Sequence, residues 1–268
     1  MSLDRPSFDK RAVLSRTEAK EVYDHFATVG HAGGKDASSG YGGPAVHALL
    51  KMAKFETANR IIDYGCGQGK LAEFVLKDII REKKETSNEE QDQGQKSFVH
   101  HVHWHGVDQS PKMIEKFRER CVDQFDGQNC CSCSVEFLKG GDPSDLIVKD
   151  SSVDRFVSTY CLDLLSEEDI YEVLDKAEKC LDPNNGLLLL AGITWGYRQS
   201  IKTCLMTIVW EILYIVRRKK VGGCRPQALM PYLKARGWRI QDVEETMPNG
   251  FPWMVSEVIS ARPPLALQ

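Results

Sequence analysis

No stretch of the 268-residue chain approaches the ~18 uninterrupted apolar residues that cross a bilayer, so no membrane span is expected. An excess of one charge is also missing. Lys and Arg number 35 against 38 Asp and Glu, a formal charge of −3, whereas a dedicated nucleic-acid binder is normally basic overall. Residues Met1 to Lys20 interleave acids and bases without an apolar core, which does not read as a secretory signal. No internal repeat appears, and no Ser/His/Asp or Cys/His set stands out for nucleophilic catalysis. The nine cysteines are odd in number and scattered, and Cys130-Cys-Ser-Cys133 has no second pair at zinc-finger spacing. They suit free thiols in a reducing cytoplasm better than a disulfide scaffold. Cys130–Cys133 reads as an inert loop.

What is present is a globular composition, 42% hydrophobic and 27% charged, carrying strand–helix alternation. Residues 1–58 read as an N-terminal cap. It comprises a helix over Ser15–Thr28, a loop from Gly30 to Gly43 with six glycines, and a helix over Pro44–Phe55. From residue 59 the pattern changes. Strands are expected at Arg60–Asp63, Val102–Asp108, Ser134–Leu138, Asp154–Tyr160 and Leu187–Ile193, with closing strands at Trp238–Glu245 and Trp253–Ala261. Helices are expected over Lys70–Glu82, from Pro111, up to Cys180 behind a Ser166 N-cap, over Ile201–Val216, and over Gln227–Arg236. Such alternation implies an α/β fold with a doubly wound, mostly parallel sheet of seven strands. Residues 83–97 have almost no apolar content and read as a disordered insertion. Residues 197–224 read as a lid.

The sharpest signal is Asp63-Tyr-Gly65-Cys66-Gly67-Gln-Gly69 between a strand and a helix. Glycines there let backbone approach a ligand, and the helix start offers free N–H groups. The spacing G-x-G-x-G is tighter than the dinucleotide pattern G-x-G-x-x-G. An acid two residues before the first glycine repels phosphate and attracts an ammonium. A ligand with an amino-acid moiety therefore fits better than a dinucleotide.

With the acid Asp108 ending the next strand, this motif resembles the class I S-adenosylmethionine-dependent methyltransferases over Arg60 to Ile193, a Rossmann-like fold. Within that class the layout is similar to the small-molecule branch of ubiquinone- and menaquinone-biosynthesis methyltransferases, where extra helices precede the first motif and follow strand five. The resemblance implies that Asp108 accepts both ribose hydroxyls; a carboxylate's two oxygens match a vicinal diol. It implies that Gln109 and Met113 line the adenine pocket, that Asp142 meets the adenine amino group, and that Tyr160 faces the methionine part. Cys66 is usual in the motif and packs rather than reacts. The product would be S-adenosylhomocysteine, and the acceptor a small molecule.

Methyl transfer from a sulfonium is an in-line displacement, so the protein supplies alignment and dehydration. Candidates to line the acceptor pocket are the aromatic and imidazole groups His25, Tyr41, Trp195, Tyr197, Trp210 and Trp253. His31 or Asp163 would serve as base for a phenol or thiol. Two other readings stand beside this one: a non-catalytic cofactor-binding scaffold, and an RNA methyltransferase. The latter is opposed by the charge balance and by Thr159-Tyr-Cys-Leu162 where a base-gripping motif would stand.

Two features remain. His101, His103 and His105 share one face of a strand, but Val102 and Trp104 are needed for packing and no carboxylate or cysteine is near in sequence, so edge-of-sheet exposure is preferred over a metal site. Ile201, Leu205, Ile208, Ile212 and Ile215 form one stripe of the long helix, with Lys202, Thr207, Trp210, Glu211 and Tyr214 opposite and Arg217-Arg-Lys-Lys220 at its end. A lid packed on the sheet is the preferred reading; a helix in peripheral membrane contact and a basic RNA patch are the others.

Overall fold

The computed structural model describes residues 5–29, 43–90, 101–128, 130–195, 201–247 and 255–265. Helices α1 (Arg16–Val29) and α2 (Pro44–Ala53) precede β1 (Arg60–Tyr64), α3 (Lys70–Glu90), β2 (Val102–Asp108) and α4 (Pro111–Phe117). A π turn over Arg118–Val122 leads into a short α5 (Asp123–Phe125). Then come β3 (Cys131–Phe137), β4 (Arg155–Thr159), α6 (Glu167–Cys180), β5 (Leu187–Thr194), α7 (Ile201–Arg217), α8 (Met230–Ala235), β6 (Arg239–Thr246) and β7 (Val255–Arg262).

The seven strands form one sheet in the order β3-β2-β1-β4-β5-β7-β6. β1 to β5 pair in parallel; β7 runs antiparallel to both β5 and β6. The expected doubly wound, mostly parallel Rossmann-like sheet is the one observed.

Parallel strands buried on both faces need apolar residues at successive positions. On β1 and β5, Ile61 and Leu189 join one core, with Leu49, Val75, Leu76 and Trp104 from α2, α3 and β2. Their neighbours Ile62, Leu188 and Leu190 join the other, with Phe156, Ile170, Leu174 and Tyr232. The apolar run Leu187–Ile193 thus feeds both layers, alternate residues going to alternate faces. Helix starts follow the local chemistry. Ser110 caps α4, its hydroxyl accepting from Met113 N at 3.1 Å with Pro111 in the first turn, and Ser166 caps α6 by accepting from Asp169 N at 3.1 Å.

Three expectations need correction. Helix α3 does not end at Glu82 but continues to Glu90, so the first part of the 83–97 insertion is helical. Lys83 to Glu90 contains neither Gly nor Pro and is rich in Glu and Lys, good helix formers even without an apolar face. Strand β3 starts at Cys131, so Cys131 and Cys133 are not loop thiols; both are buried, packing as small hydrophobes in the core. The isoleucine stripe of α7 does not pack on the sheet. Ile201, Leu205, Ile208, Ile212 and Ile215 are exposed, while Thr207 and Tyr214 are buried.

The N-terminal arm explains that inversion. Tyr214 Oη donates to Ala12 O at 2.6 Å, and Arg11 pairs with Glu211, so the polar face of α7 is held down by residues before α1. The arm continues across α6, where Tyr171 Oη donates to Pro6 O at 2.7 Å and Glu167 accepts from Phe8 N. Among the described residues no helix is long and apolar enough to cross a membrane.

Candidate active site

The winding of the sheet reverses between β1 and β4, and a crevice at such a point is the usual ligand position in open α/β sheets. A cleft with about 910 Å³ of atom-free space, its open mouth included, lies there. Its floor is the turn Tyr64–Gln68 after β1. Residues Asp108, Gln109 and Met113 form one side, and Thr159, Tyr160 and Cys161 after β4 the other.

The turn is built close to its neighbours. Gly65 N and Cys66 N donate to Val107 O at 2.8 and 3.0 Å, tying the turn to β2. Gly65 has φ +74°, and a Cβ there would lie 2.4 Å from Cys161 Sγ, so only glycine lets the β1 and β4 turns meet. At Gly67, φ +53°, a Cβ would meet nothing within 4 Å; that side of the turn is open cleft.

Asp108 closes the corner. Its carboxylate accepts from Gly67 N at 2.9 Å and from Ser110 N at 2.8 Å, so the acid at the end of β2 is locked to the glycine turn. Burial pushes its pKa up to about 6, and the N–H groups of Ser110, Gly67 and Gln109 work against that rise. A carboxylate has about four lone-pair sites, so two bonds to the backbone leave capacity for a diol. Met113 is buried, and with Leu138 it gives this end of the cleft an apolar surface.

Tyr160 holds the opposite wall in a left-handed conformation, φ +51°, uncommon for a bulky residue and a form of strain that collects at functional sites. Its amide donates to Ala191 O at 2.6 Å, and its hydroxyl pairs with Ser256 Oγ at 2.7 Å. Burial raises the phenol to about 12, so it stays protonated near neutrality.

Other expected residues lie elsewhere. Asp63 does not reach the cleft wall. It is buried behind the turn, with neither carboxylate oxygen hydrogen-bonded. Burial drives its pKa to about 7, the nearby Trp104 N–H opposing and the Asp108 charge adding to the rise. Asp163 is likewise buried behind the wall, its pKa raised to about 7 by burial against the pull of Arg225. A group that takes a proton from a bound acceptor has to line the cleft, and Asp163 does not. Gly69 is also off the cleft wall, facing Phe117 and Cys121.

Asp142 is engaged by Arg16 at 2.7 Å and accepts from Ser144 N at 2.9 Å; the Arg16 bond, foremost, holds its pKa down at about 2. It is a strut between α1 and the loop after β3 rather than part of the wall. His25 is exposed on α1, and Trp195 is half-buried beyond the cleft. Trp210 turns inward on α7 and donates to Cys224 O at 2.9 Å. His31, Tyr41, Tyr197 and Trp253 lie outside the described residues.

The structure adds residues the motif did not point to. Tyr23 of α1 lines the cleft, as do Leu138, Gly141, Leu164 and Leu165. Asp24, next to Tyr23, accepts from Ser110 Oγ at 2.6 Å and fastens α1 over the cleft. The signal was available: Tyr23 sits between Val22 and Phe26, which mark the inward face of that helix. The histidines lie at the other end of the sheet. His103 and His105 face Ser132 and Ser134 on β3 at 2.8 Å each. Among the described residues no group of three or more His, Cys, Asp or Glu could hold a metal ion.

Residues 94–184 match the family described as "Methyltransferase domain". The match spans about a third of the chain. The match begins after the glycine turn, so the roles of residues 63–69 rest on geometry. No curated protein matches the sequence. Solved structures share the fold at low identity. Magnesium protoporphyrin IX methyltransferase (ChlM) from Synechocystis PCC 6803, with bound S-adenosylhomocysteine, is 13% identical, with 96% of this chain and 90% of that chain covered at TM-score 0.52. Geranyl diphosphate C-methyltransferase from Streptomyces coelicolor A3(2) is 10% identical, over 94% and 99% of the two chains, at TM-score 0.55. The [4+2]-cyclase SpnF is 14% identical, over 96% and 100%, at TM-score 0.63. The likeness is one of fold; ChlM is also known with S-adenosylmethionine bound.

Proposed function

We propose that the chain transfers the methyl group of S-adenosylmethionine to a small-molecule acceptor. The observation that carries this reading is the lock between Asp108 and Gly67 at the mouth of a glycine turn. It places a carboxylate with spare acceptor capacity beside an open backbone cradle. The residues fit the cofactor part by part. Asp108 takes the ribose hydroxyls, and Gln109 and Met113 flank the adenine. Tyr160 and the Gly65–Gly67 backbone face the amino-acid end. Asp63, whose two oxygens have no hydrogen-bond partner behind the turn, acts on the ammonium through its field rather than by contact. When bound, the cofactor supplies a methyl group on a positively charged sulfur.

The chain's own part is alignment and exclusion of water. The acceptor enters between Tyr23 of α1 and the segment Cys161–Leu165, against aromatic and aliphatic surface. That segment is held from behind. Arg225, fully buried, donates to the carbonyls of Asp163 at 2.9 Å and Leu165 at 2.7 Å and pairs with Asp9 at 2.7 Å. Asp163 lends only its backbone carbonyl to this hold; its carboxylate, behind the wall, is not the base. His31, in the glycine-rich stretch of the sequence outside the described residues, stays the candidate for taking a proton from an acidic acceptor.

An organic acceptor is supported by the apolar lining and by the chemistry named for the solved neighbours; the branch similar to ubiquinone- and menaquinone-biosynthesis methyltransferases shares the extra helices before β1 and after β5. Nine free thiols support a cytoplasmic setting. SpnF supplies the reason to keep a second reading, because a cyclase on this fold shows that the fold alone does not dictate methyl transfer.

The test is turnover. The protein, S-adenosylmethionine and a panel of phenols, thiols, amines and carboxylic acids are incubated, and S-adenosylhomocysteine is quantified. Release above the acceptor-free blank for one class, reduced at least about tenfold in Tyr23→Ala at unchanged cofactor affinity, supports the reading. Cofactor binding without release for any class supports the scaffold instead.

A further inference from the structure

Helix α7 turns its apolar face to solvent. Ile201, Leu205, Ile208, Val209, Ile212, Leu213, Ile215 and Val216 are each between 41% and 89% exposed. At 100° per residue these eight fall within an arc of about 160° on a helix about 26 Å long, an arc that also contains the position of Lys202. Soluble chains rarely leave so large an apolar surface uncovered.

The face is not a packing accident of an amphipathic helix laid down the wrong way. Its opposite side is specifically bonded. Tyr214 reaches Ala12 O, Trp210 reaches Cys224 O, and Glu211 pairs with Arg11. Glu211 is the helix's one acid, and it is on that inner side, so the outward face carries no negative charge.

Basic residues continue directly from the stripe. Arg218 is turned inward, over the Tyr214 ring at 5.0 Å, and Lys219 pairs with Glu18 at 3.1 Å. Arg217 and Lys220 are exposed, and neither has an ion pair among the described residues. An aliphatic face ending in cations matches a surface that is apolar inside and anionic at its boundary. It matches a second protein less well, because interface centres favour aromatic and Arg anchors and the exposed apolar residues of this face are only Ile, Leu and Val.

We infer that α7 seats the protein on an anionic lipid bilayer, lying in the headgroup plane with its isoleucine stripe down and Arg217 and Lys220 against acidic headgroups. The inference does not depend on which molecule is methylated. It does connect to the cleft. Trp210 holds Cys224, whose thiol lies 3.8 Å from the hydroxyl of Tyr23, a residue of the cleft wall.

The experiment is vesicle flotation of the full chain, using phosphatidylcholine vesicles with and without about 30% phosphatidylserine, beside light scattering for oligomeric state. The expected result is at least about tenfold stronger binding to the anionic vesicles, weakened by about 0.5 M salt. Ile208→Glu with Ile212→Glu should abolish it, and Arg217→Glu with Lys220→Glu should reduce it about tenfold or more, since each cation near such a surface is worth roughly fivefold. All these positions are exposed, so unchanged circular dichroism and unchanged S-adenosylmethionine affinity show that the variants remain folded. Equal binding to both vesicle types overturns the proposal. So does binding that survives the double isoleucine variant, or a dimer that the same variant dissociates, which would make a second copy the occupant.

Discussion

The cleft corner and helix α7 solve opposite problems with similar material. At the corner, backbone is bent back on itself and each turn is tied down. Val107 O takes two N–H groups, Asp108 takes two more, and Gly65 leaves no room for a Cβ. On α7 the tied side is the polar one, and the apolar side is left to solvent. Bulk hydrophobicity therefore does not decide which face turns inward. A short list of hydrogen bonds and ion pairs to the N-terminal arm does.

Gly65→Val attacks the corner hardest. The new Cβ would overlap Cys161 and the residue would have to hold φ +74°. The expected loss is on the order of 3–5 kcal/mol of stability, with S-adenosylmethionine binding abolished. Denaturant unfolding and calorimetry check it; a stable variant that still binds the cofactor would mean that the β1 and β4 turns are not wedged together.

Asp163→Asn tests the cost of the carboxylate buried behind the wall. The folded-state pKa of Asp163 is raised to about 7 from 3.8, so its stability contribution is greatest below about pH 4 and declines as pH rises to 7, where the native protein is forced to bury the charge. The Asn variant should therefore gain on wild type with rising pH, by on the order of 2–4 kcal/mol between pH 4 and 8. Thermal melts across that range read the gain. A variant that melts no higher than wild type at pH 8 would show that Arg225 already neutralises the carboxylate.

These two predictions also mark what the sequence disclosed. The strand–helix alternation and the apolar run Leu187–Ile193 are periodic signals, and they locate every strand to within a few residues. The motif Asp63–Gly69 with Asp108 is a local backbone signal, and it locates the cleft. Side-chain direction is not local. Asp63, Asp142 and Asp163 are all near the cleft in sequence terms, but one is behind the turn, one is held by Arg16 and one is behind the wall. The same limit applies to α7, whose stripe is legible from spacing while its orientation depends on Arg11 and Ala12, about 200 residues away in the chain.

A milder probe of the corner is pH. Ionised Asp108 accepts hydroxyl bonds; the protonated form loses part of that capacity. With its pKa at about 6, cofactor affinity should fall as pH drops below 6, up to about tenfold per pH unit, and level off above 7. A flat profile from pH 5 to 7 would show that the carboxylate is not what holds the ribose.

The smallest effects belong to α7. Tyr214→Phe removes the bond to Ala12 O and should cost about 1 kcal/mol, whereas Ile208→Ser on the outer face should change stability by less than about 0.5 kcal/mol. The reverse order in urea titrations would mean that the isoleucine face is covered in the isolated protein.

The most direct test of the central claim is calorimetric titration of S-adenosylmethionine and S-adenosylhomocysteine into wild type and Asp108→Ala. The account predicts micromolar binding of both to wild type, the product at least as tightly, and a loss of about 100-fold in the variant, whose circular dichroism and cooperative melting show that it is folded. Equal affinity in the two proteins, or no binding to well-folded wild type, would contradict the assignment of this cleft to S-adenosylmethionine.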